Sequence, residues 1–124
     1  MSMPLEAPAP ARPRLGFLGV GWIGRNRMEA VLATEAVEAA GIAEPDAGMA
    51  AAAGELAPEA EQVGSLDELL RLDLDGIVIA TPSALHARQC LAALEAGVAV
   101  FCQKPLGRTA REVEAVVRAA RERD

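Results

Sequence analysis

The stretch LGFLGVGWIGRN, residues 15–26, decides the fold of this chain. Its first half is short, apolar and ended by glycine, which is typical of a buried β-strand. Gly19, Gly21 and Gly24 follow at spacings of two and three, and apolar residues at helical spacing come directly after them. A strand, a glycine-rich turn and a helix in this order predict a backbone that a flat, negatively charged ligand approaches closely.

The three glycines of this glycine turn, residues 19–24, each have a predicted role. Gly19 permits the tight turn, Gly21 lacks the β-carbon that would block a pyrophosphate, and Gly24 lets the helix pack close to the strand. The start of the helix then offers free amides and the positive end of its dipole to phosphates. Trp22 and Ile23, between these glycines, are further candidate cofactor-binding residues. Two roles stay open for Trp22, which either packs against the sheet or a missing neighbour, or lies beside the nicotinamide half of a dinucleotide.

Strands and helices alternate along the rest of the chain. The patterns predict strands over 14–19, 37–43, 62–63, 77–80 and 98–102. They predict helices over 23–35, 47–56, 66–72 and 84–96, with a last helix beginning near residue 109. Such alternation is typical of an α/β protein, so we expect a Rossmann-type, doubly wound parallel sheet in a three-layer αβα sandwich.

An acidic residue after the second predicted strand fits a nucleotide site. Glu44 stands 20 residues after Gly24, where a carboxylate accepts hydrogen bonds from a ribose diol and repels a 2′-phosphate. No Lys or Arg occurs between residues 28 and 70 to receive such a phosphate. The pattern therefore favours NAD over NADP. Asp46 is the rival for the ribose role, and the alternative for both acids is that they cap the next helix.

Composition bounds the remaining possibilities. The chain has 124 residues and a net charge of −6, which predicts a single domain and argues against a nucleic-acid surface. The longest uncharged stretch, 76–87, is too short to span a membrane. Residues 1–13 are rich in proline and predict a disordered leader rather than an export signal. The two cysteines lack metal-ligand spacing, so we predict no metal site and reduced thiols in a cytoplasmic protein.

The second half of the chain carries a resemblance to a known family. Residues 77–109 read IVIATPSALHARQCLAALEAGVAVFCQKPLGRT, with a TP turn after the fourth predicted strand and a KP turn after the fifth. Together with the glycine turn and the acid after the second strand, this resembles the family of glucose-fructose oxidoreductase and inositol dehydrogenase. These are NAD(P)-dependent dehydrogenases that act mainly on sugars and cyclitols.

The resemblance implies roles for residues beyond the glycine turn. The family's lysine before proline reaches the nicotinamide ribose and the substrate, so Lys104 is the candidate catalytic residue and also contacts the cofactor. Pro105 fixes the backbone after it. Ala80, Thr81 and Pro82 are expected to border the cofactor through backbone contacts.

Four further residues near these turns carry side chains that can bond or react. Gln103 departs from the family's usual glutamate and removes a negative charge beside Lys104. Ser83 is predicted to cap the following helix. His86, the single histidine, is expected to pack or cap rather than catalyse. Cys102 is predicted to be a small buried side chain, because no base is identifiable near it.

Members of this family are much longer than 124 residues, and their C-terminal domain supplies most of the substrate pocket and an Asp/His pair. We therefore expect this chain to be the N-terminal domain without its C-terminal partner, able to bind cofactor but with little or no turnover. An uncovered sheet edge predicts self-association into a homo-oligomer. A stand-alone dinucleotide-sensing module is the alternative function. A methyltransferase using S-adenosylmethionine is disfavoured, because the fourth strand ends in Ala80-Thr81-Pro82 without an acid.

Overall fold

Five strands form one parallel sheet in the computed structural model, which describes residues 11–123. The strands are β1 Arg14–Leu18, β2 Glu38–Ala43, β3 Glu61–Val63, β4 Gly76–Ile79 and β5 Ala99–Cys102. Their order across the sheet is β3-β2-β1-β4-β5. The chain thus moves outward from β1 to β3 and then returns to the other side of β1. The order reverses between β1 and β4, which is where doubly wound sheets bind their ligands. Residues 1–10 of the predicted leader lie outside the described residues.

Helices cover both faces of this sheet. They are α1 Trp22–Ala33, α2 Ala47–Leu56, α3 Leu66–Leu70, α4 His86–Glu95 and α5 Ala110–Glu122. The helices α1 and α2 pack on one face, α3 and α4 pack on the other, and α5 packs against α4. The predicted doubly wound, three-layer α/β architecture is confirmed.

Side chains that alternate along the central strands build two apolar cores. Phe17 and Val78 point to the side of α1 and α2, where they pack with Met28. Ile77 and Ile79 point to the opposite side, toward α3 and α4. This alternation follows from the two-residue period of a strand. Because the central strands are covered on both faces, they read as continuous apolar runs in the sequence.

The helix predicted over 84–96 differs from the observed structure. Residues Ser83–Leu85 form a single 3₁₀ turn, and α4 begins only at His86. Ser83 does not cap a helix, because Pro82 occupies the position before the turn and no side chain caps it. The N–H of Leu85 donates to the Pro82 carbonyl at 3.0 Å, which tightens the chain directly after β4. The prediction for Ser83 was wrong.

Capping boxes start α3 and α5. The Ser65 hydroxyl accepts from the Glu68 N–H at 3.1 Å, and the Thr109 hydroxyl accepts from the Glu112 N–H at the same distance. Each glutamate also accepts from the N–H of the residue before the cap, Gly64 and Arg108 respectively. Two backbone donors at each helix start are therefore satisfied.

The outer strand β5 is covered on one face only within the described part of the chain. Val100 and Cys102 pack under α4 and α5. Phe101, on the opposite face, is 57% exposed and borders a groove of about 450 Å³ beside Arg27 and Val31 of α1. Association with a second copy of the chain would cover this apolar side chain and the open face of the sheet around it.

Candidate functional site

Two glycines shape the turn between β1 and α1. Gly19 has a φ of +85°, and a β-carbon there would lie 2.8 Å from the Ala80 carbonyl oxygen. A β-carbon on Gly24 would lie 2.1 Å from the Gly19 carbonyl oxygen. Both positions therefore exclude any side chain, and α1 packs directly against the ends of β1 and β4. The roles predicted for these two glycines agree with this geometry.

Gly21 differs from Gly19 and Gly24 because an added β-carbon there would clash with nothing. The nearest atom to an added β-carbon is the Met49 sulfur at 3.6 Å. Gly21 is the N-cap of α1 and no side chain caps the helix. The first backbone bond runs from the Arg25 N–H to the Gly21 carbonyl at 2.8 Å, so the amides of the first turn have no partner within the helix. This end of α1 presents N–H donors and a positive dipole to the cavity beside it.

The carboxylate of Glu44 ties the glycine turn to the next loop. Its Oε1 accepts from the Val20 N–H and its Oε2 accepts from the Asp46 N–H, both at 2.9 Å. Each carboxylate oxygen has a second lone pair, so both can still accept from a ligand. The side chain is half-buried at the carboxyl end of β2.

Asp46 is the N-cap of α2. Its Oδ1 accepts from the Met49 N–H at 2.9 Å. The capping alternative for this residue therefore holds in the structure. Asp46 is exposed and does not line the cavity described next, which leaves Glu44 better placed of the two acids for a ribose.

A cavity of about 770 Å³ lies at the carboxyl ends of β1, β2 and β4. We call it the glycine-turn cavity. Nine predicted residues line it: Gly19, Gly21, Trp22, Ile23, Gly24, Glu44, Ala80, Thr81 and Pro82. Trp22 is 74% exposed, so it does not pack against the sheet. Residues not singled out from the sequence also line the cavity, among them Leu66 and Gln89.

Lys104 and Pro105 follow β5 at the same edge of the sheet but do not line the glycine-turn cavity. The Gln103 N–H donates to the Ile79 carbonyl at 2.8 Å, so the backbone before Lys104 continues the pairing with β4. Lys104 is exposed, and its peptide bond to Pro105 is cis. The Gln103 side chain accepts from Arg27 Nε at 3.4 Å, so it faces α1.

His86 connects the two proline turns. The residue is 1% exposed, with Nδ1 at 2.7 Å from the Pro105 carbonyl oxygen and Nε2 at 2.7 Å from the Thr81 carbonyl oxygen. The Thr81 hydroxyl also donates to the Gln89 side chain. The expectation that His86 packs rather than catalyses agrees with this burial, but no pattern in the sequence indicates the bridge.

The thiols of Cys90 on α4 and Cys102 on β5 lie next to each other. Burial and the neighbouring Cys102 raise the pKa of the Cys90 thiol to about 12. Burial also raises the pKa of Cys102, whose Sγ donates to the Gln103 carbonyl at 3.3 Å. Raised pKa values keep both groups as thiols at neutral pH, so neither is an activated nucleophile. Cys102 is half-buried rather than fully buried.

In the part of the chain that the structure describes, no helix combines the length and the apolar character needed to cross a membrane. Within residues 11–123, no three His, Cys, Asp or Glu side chains gather closely enough to hold a metal ion.

Together, the switch in strand order, the uncapped helix behind a glycine turn and the acid after β2 define a Rossmann-type dinucleotide-binding domain. Residues 13–124 match the family model described as "Oxidoreductase family, NAD-binding Rossmann fold", GFO_IDH_MocA. The chain belongs to this family, as its sequence motifs predict.

Curated relatives and solved structures agree with this membership. The chain is 36% identical over 109 residues to an inositol 2-dehydrogenase of Acidiphilium cryptum, covering 86% of this chain and 32% of that protein. It is 42% identical over 97 residues to an inositol 2-dehydrogenase of Leifsonia xyli, covering 75% of this chain and 28% of that protein. The chain spans about a third of the length of the curated relatives it matches.

Similar solved structures include complexes with bound cofactor. GenD2 from gentamicin A biosynthesis, in complex with NAD, superposes with a TM-score of 0.86 at 25% identity, covering 99% of this chain and 35% of that one. KijD10, a 3-ketoreductase from Actinomadura kijaniata in complex with NADP and TDP-benzene, gives a TM-score of 0.80 at 31% identity, covering 90% of this chain and 35% of that one. The shared fold thus accommodates both forms of the dinucleotide.

Proposed function

We propose that the glycine-turn cavity binds NAD, with the pyrophosphate on the first turn of α1. The single observation that carries this proposal is Gly21. It places an uncapped helix end beside the cavity, where an added β-carbon would make only an ordinary contact with Met49, whereas Gly19 and Gly24 are packed tightly against backbone. A diphosphate there accepts hydrogen bonds from backbone N–H groups and interacts with the positive end of the helix dipole.

The adenosine ribose binds Glu44, and this contact selects NAD over NADP. Both carboxylate oxygens are fixed by backbone N–H groups, and their remaining lone pairs accept from the two ribose hydroxyls. A 2′-phosphate would meet the negative charge of this carboxylate. No Lys or Arg occurs between residues 28 and 70, so this segment has no positive side chain to bind a 2′-phosphate.

The nicotinamide half lies toward the two proline turns. Ala80, Thr81 and Pro82 border it through their backbone, and Lys104 with Pro105 closes this end from β5. Lys104 is an exposed cation at the carboxyl end of a strand, where it can contact the nicotinamide ribose and orient a substrate hydroxyl. These assignments follow the order of motifs along the chain and the position of each turn.

The reaction in which this domain takes part is hydride transfer between the nicotinamide and the CH–OH group of a sugar or cyclitol. Support comes from the inositol 2-dehydrogenases that share 36% and 42% identity with the chain. The bound dinucleotide supplies the hydride chemistry, and the described residues bind and orient it. We further propose that the 124 residues alone do not turn over substrate. Glu44 is the only titratable side chain lining the cavity among the described residues, and both its oxygens already accept backbone bonds.

A titration of the 124-residue chain tests this proposal. Trp22 is the single tryptophan and lines the cavity, so its fluorescence reports binding without a label. NADH is expected to quench Trp22 and raise the unfolding temperature, NADPH to do so more weakly, and S-adenosylmethionine to do neither. Stabilisation by S-adenosylmethionine alone would overturn the assignment.

The absence of turnover needs a separate measurement. Incubating the chain with NAD and inositol should give no increase in NADH absorbance above a protein-free blank. Binding without turnover fits both a domain of a longer enzyme and a stand-alone dinucleotide-binding module. The coding sequence downstream of codon 124 separates them, because an in-frame second domain favours the enzyme.

We also propose that the chain forms a homo-oligomer through the open face of β5, where Phe101 is exposed. Covering such a side chain removes apolar surface from water, which is favourable by about 25 cal/mol per Å².

A cytoplasmic location is proposed as well. Its support is that Cys90 and Cys102 are both free thiols, as expected in a reducing compartment.

A further inference from the structure

His86 is a buried histidine whose two ring nitrogens both face carbonyl oxygens. Nδ1 lies 2.7 Å from the Pro105 oxygen and Nε2 lies 2.7 Å from the Thr81 oxygen. With 1% of the residue exposed, the ring has no access to a ligand in the glycine-turn cavity. It therefore neither accepts nor delivers a proton at the reacting atoms.

The two carbonyls belong to different turns that are far apart in the sequence. Thr81 follows β4 and Pro105 follows β5, and the paired register of these strands ends at Ile79 and Cys102. The Gln103 N–H to Ile79 contact extends the pairing by one hydrogen bond. Beyond that point the His86 imidazole spans the gap between the segment that follows β4 and the segment that follows β5.

The chemistry of imidazole makes this bridge specific. A carbonyl oxygen only accepts, so each contact is a hydrogen bond only where the facing ring nitrogen carries a proton. A neutral ring donates to one carbonyl and an imidazolium donates to both. No other side chain carries two ring nitrogens that can each bear a proton on one rigid planar ring, and this rigidity removes most of the rotational freedom of the bridge.

We propose that His86 is a positioning residue that holds the turn carrying Lys104 in register with the turn carrying Thr81. It acts through the Pro105 carbonyl, one residue after Lys104, and thereby fixes where the lysine stands relative to the nicotinamide half of the cofactor. This inference rests on the proposed function for the role of Lys104, but the bridge itself does not depend on a bound dinucleotide.

A double-mutant cycle on NADH affinity tests the coupling between His86 and Lys104. Lys104→Ala is expected to weaken NADH binding about tenfold, the size of one lost charge-assisted hydrogen bond. In the His86→Ala background, the same change should cost less than about twofold, because the lysine is no longer held in place. Glu44→Ala is the control at the other end of the cofactor, and its effect should multiply with that of His86→Ala. Equal losses from Lys104→Ala in both backgrounds would overturn the proposal.

Two conservative variants separate the contacts and remain informative where His86→Ala does not fold. The amide nitrogen of asparagine is as many bonds from Cα as Nδ1, and that of glutamine as many as Nε2. His86→Asn should therefore keep the Pro105 contact and most of the effect of Lys104→Ala. His86→Gln should keep the Thr81 contact and lose that effect. The reverse order, or identical behaviour of the two variants, contradicts action through Pro105.

The bridge can also be observed without cofactor. Because His86 is the only histidine, ¹⁵N labelling of histidine gives one set of ring signals that needs no assignment. Ring N–H signals that exchange slowly with water and show contacts to the protons of Thr81 or Pro105 support the bridge. A ring that exchanges freely overturns it. A chain that fails to bind NADH but keeps slow ring exchange would instead contradict the proposed function alone.

Discussion

The carboxylate of Glu44 accepts hydrogen bonds from the backbone N–H groups of Val20 and Asp46, each at 2.9 Å. One side chain therefore joins the glycine turn to the loop between β2 and α2. The residue proposed to select the cofactor also holds in place the turn that binds its diphosphate. Substitutions at Glu44 consequently act on the fold and on binding, and the two effects must be separated.

Glu44→Gln should separate them. The amide keeps one acceptor oxygen for the loop but removes the negative charge, so we expect NADH affinity to fall about tenfold. NADPH should be affected less, because its 2′-phosphate no longer meets a carboxylate. Calorimetric titration with both dinucleotides measures the ratio, and Glu55→Gln, an exposed carboxylate of α2, is the matched control. An unchanged ratio of the two affinities would count against the ribose assignment.

The paired substitutions Gly21→Ala and Gly24→Ala should have opposite signatures. At Gly21 the new methyl group makes only an ordinary contact with the Met49 sulfur, so stability stays near wild type while NADH affinity falls at least tenfold. At Gly24 the methyl group overlaps the Gly19 carbonyl, and the free energy of unfolding should drop by about 3 kcal/mol. Urea unfolding and NADH titration on both variants check this. A Gly21→Ala chain that binds NADH normally would show that the diphosphate lies elsewhere.

The exposed face of β5 predicts concentration-dependent association. Phe101→Glu places a charge on that face, so the weight-average mass in sedimentation should fall toward that of one chain. Leu56→Glu, at an exposed apolar position on α2, serves as the control and should leave association unchanged. If the wild-type chain runs as a clean monomer at high concentration in gel filtration, the interface is absent.

The start of α5 predicts a dependence of stability on pH. A hydrogen bond from Arg108 lowers the pKa of Glu112 below its ordinary value of 4.5. The folded state therefore holds the carboxylate in its charged form. This contribution is present above pH 4.5 and is lost as pH falls through the lowered pKa of the folded state.

Glu112→Gln tests that dependence. The variant should be less stable than wild type at about pH 7, and the difference should shrink steadily as the pH is lowered below 4.5. Glu114→Gln, at an exposed glutamate of the same helix, is the matched control. Thermal unfolding across the pH range measures both, and a constant gap between Glu112→Gln and wild type would contradict the ion pair.

The sequence by itself determined the secondary structure, the glycine turn and the layered architecture, because these depend on interactions between residues close together in the chain. The period of the apolar residues predicts the strands and helices, most of them within one or two residues of the observed bounds. The glycine turn and its following helix are likewise local, because turn conformation and helix start depend on neighbouring residues. The alternation of elements then determines the layered parallel architecture, since parallel strands need crossover connections.

Contacts between distant segments were decided only by the tertiary structure. The bridge from His86 to Pro105 joins residues 19 apart, and the bond from Val20 to Glu44 joins residues 24 apart. Neither has a sequence pattern, because the geometry arises only after β4 and β5, or β1 and β2, are paired. Periodicity predicts which element a residue belongs to. Which side chains meet is decided by the order in which the strands pair in the sheet. The distances between those side chains depend on packing between segments that are far apart in the sequence, so no local pattern encodes them.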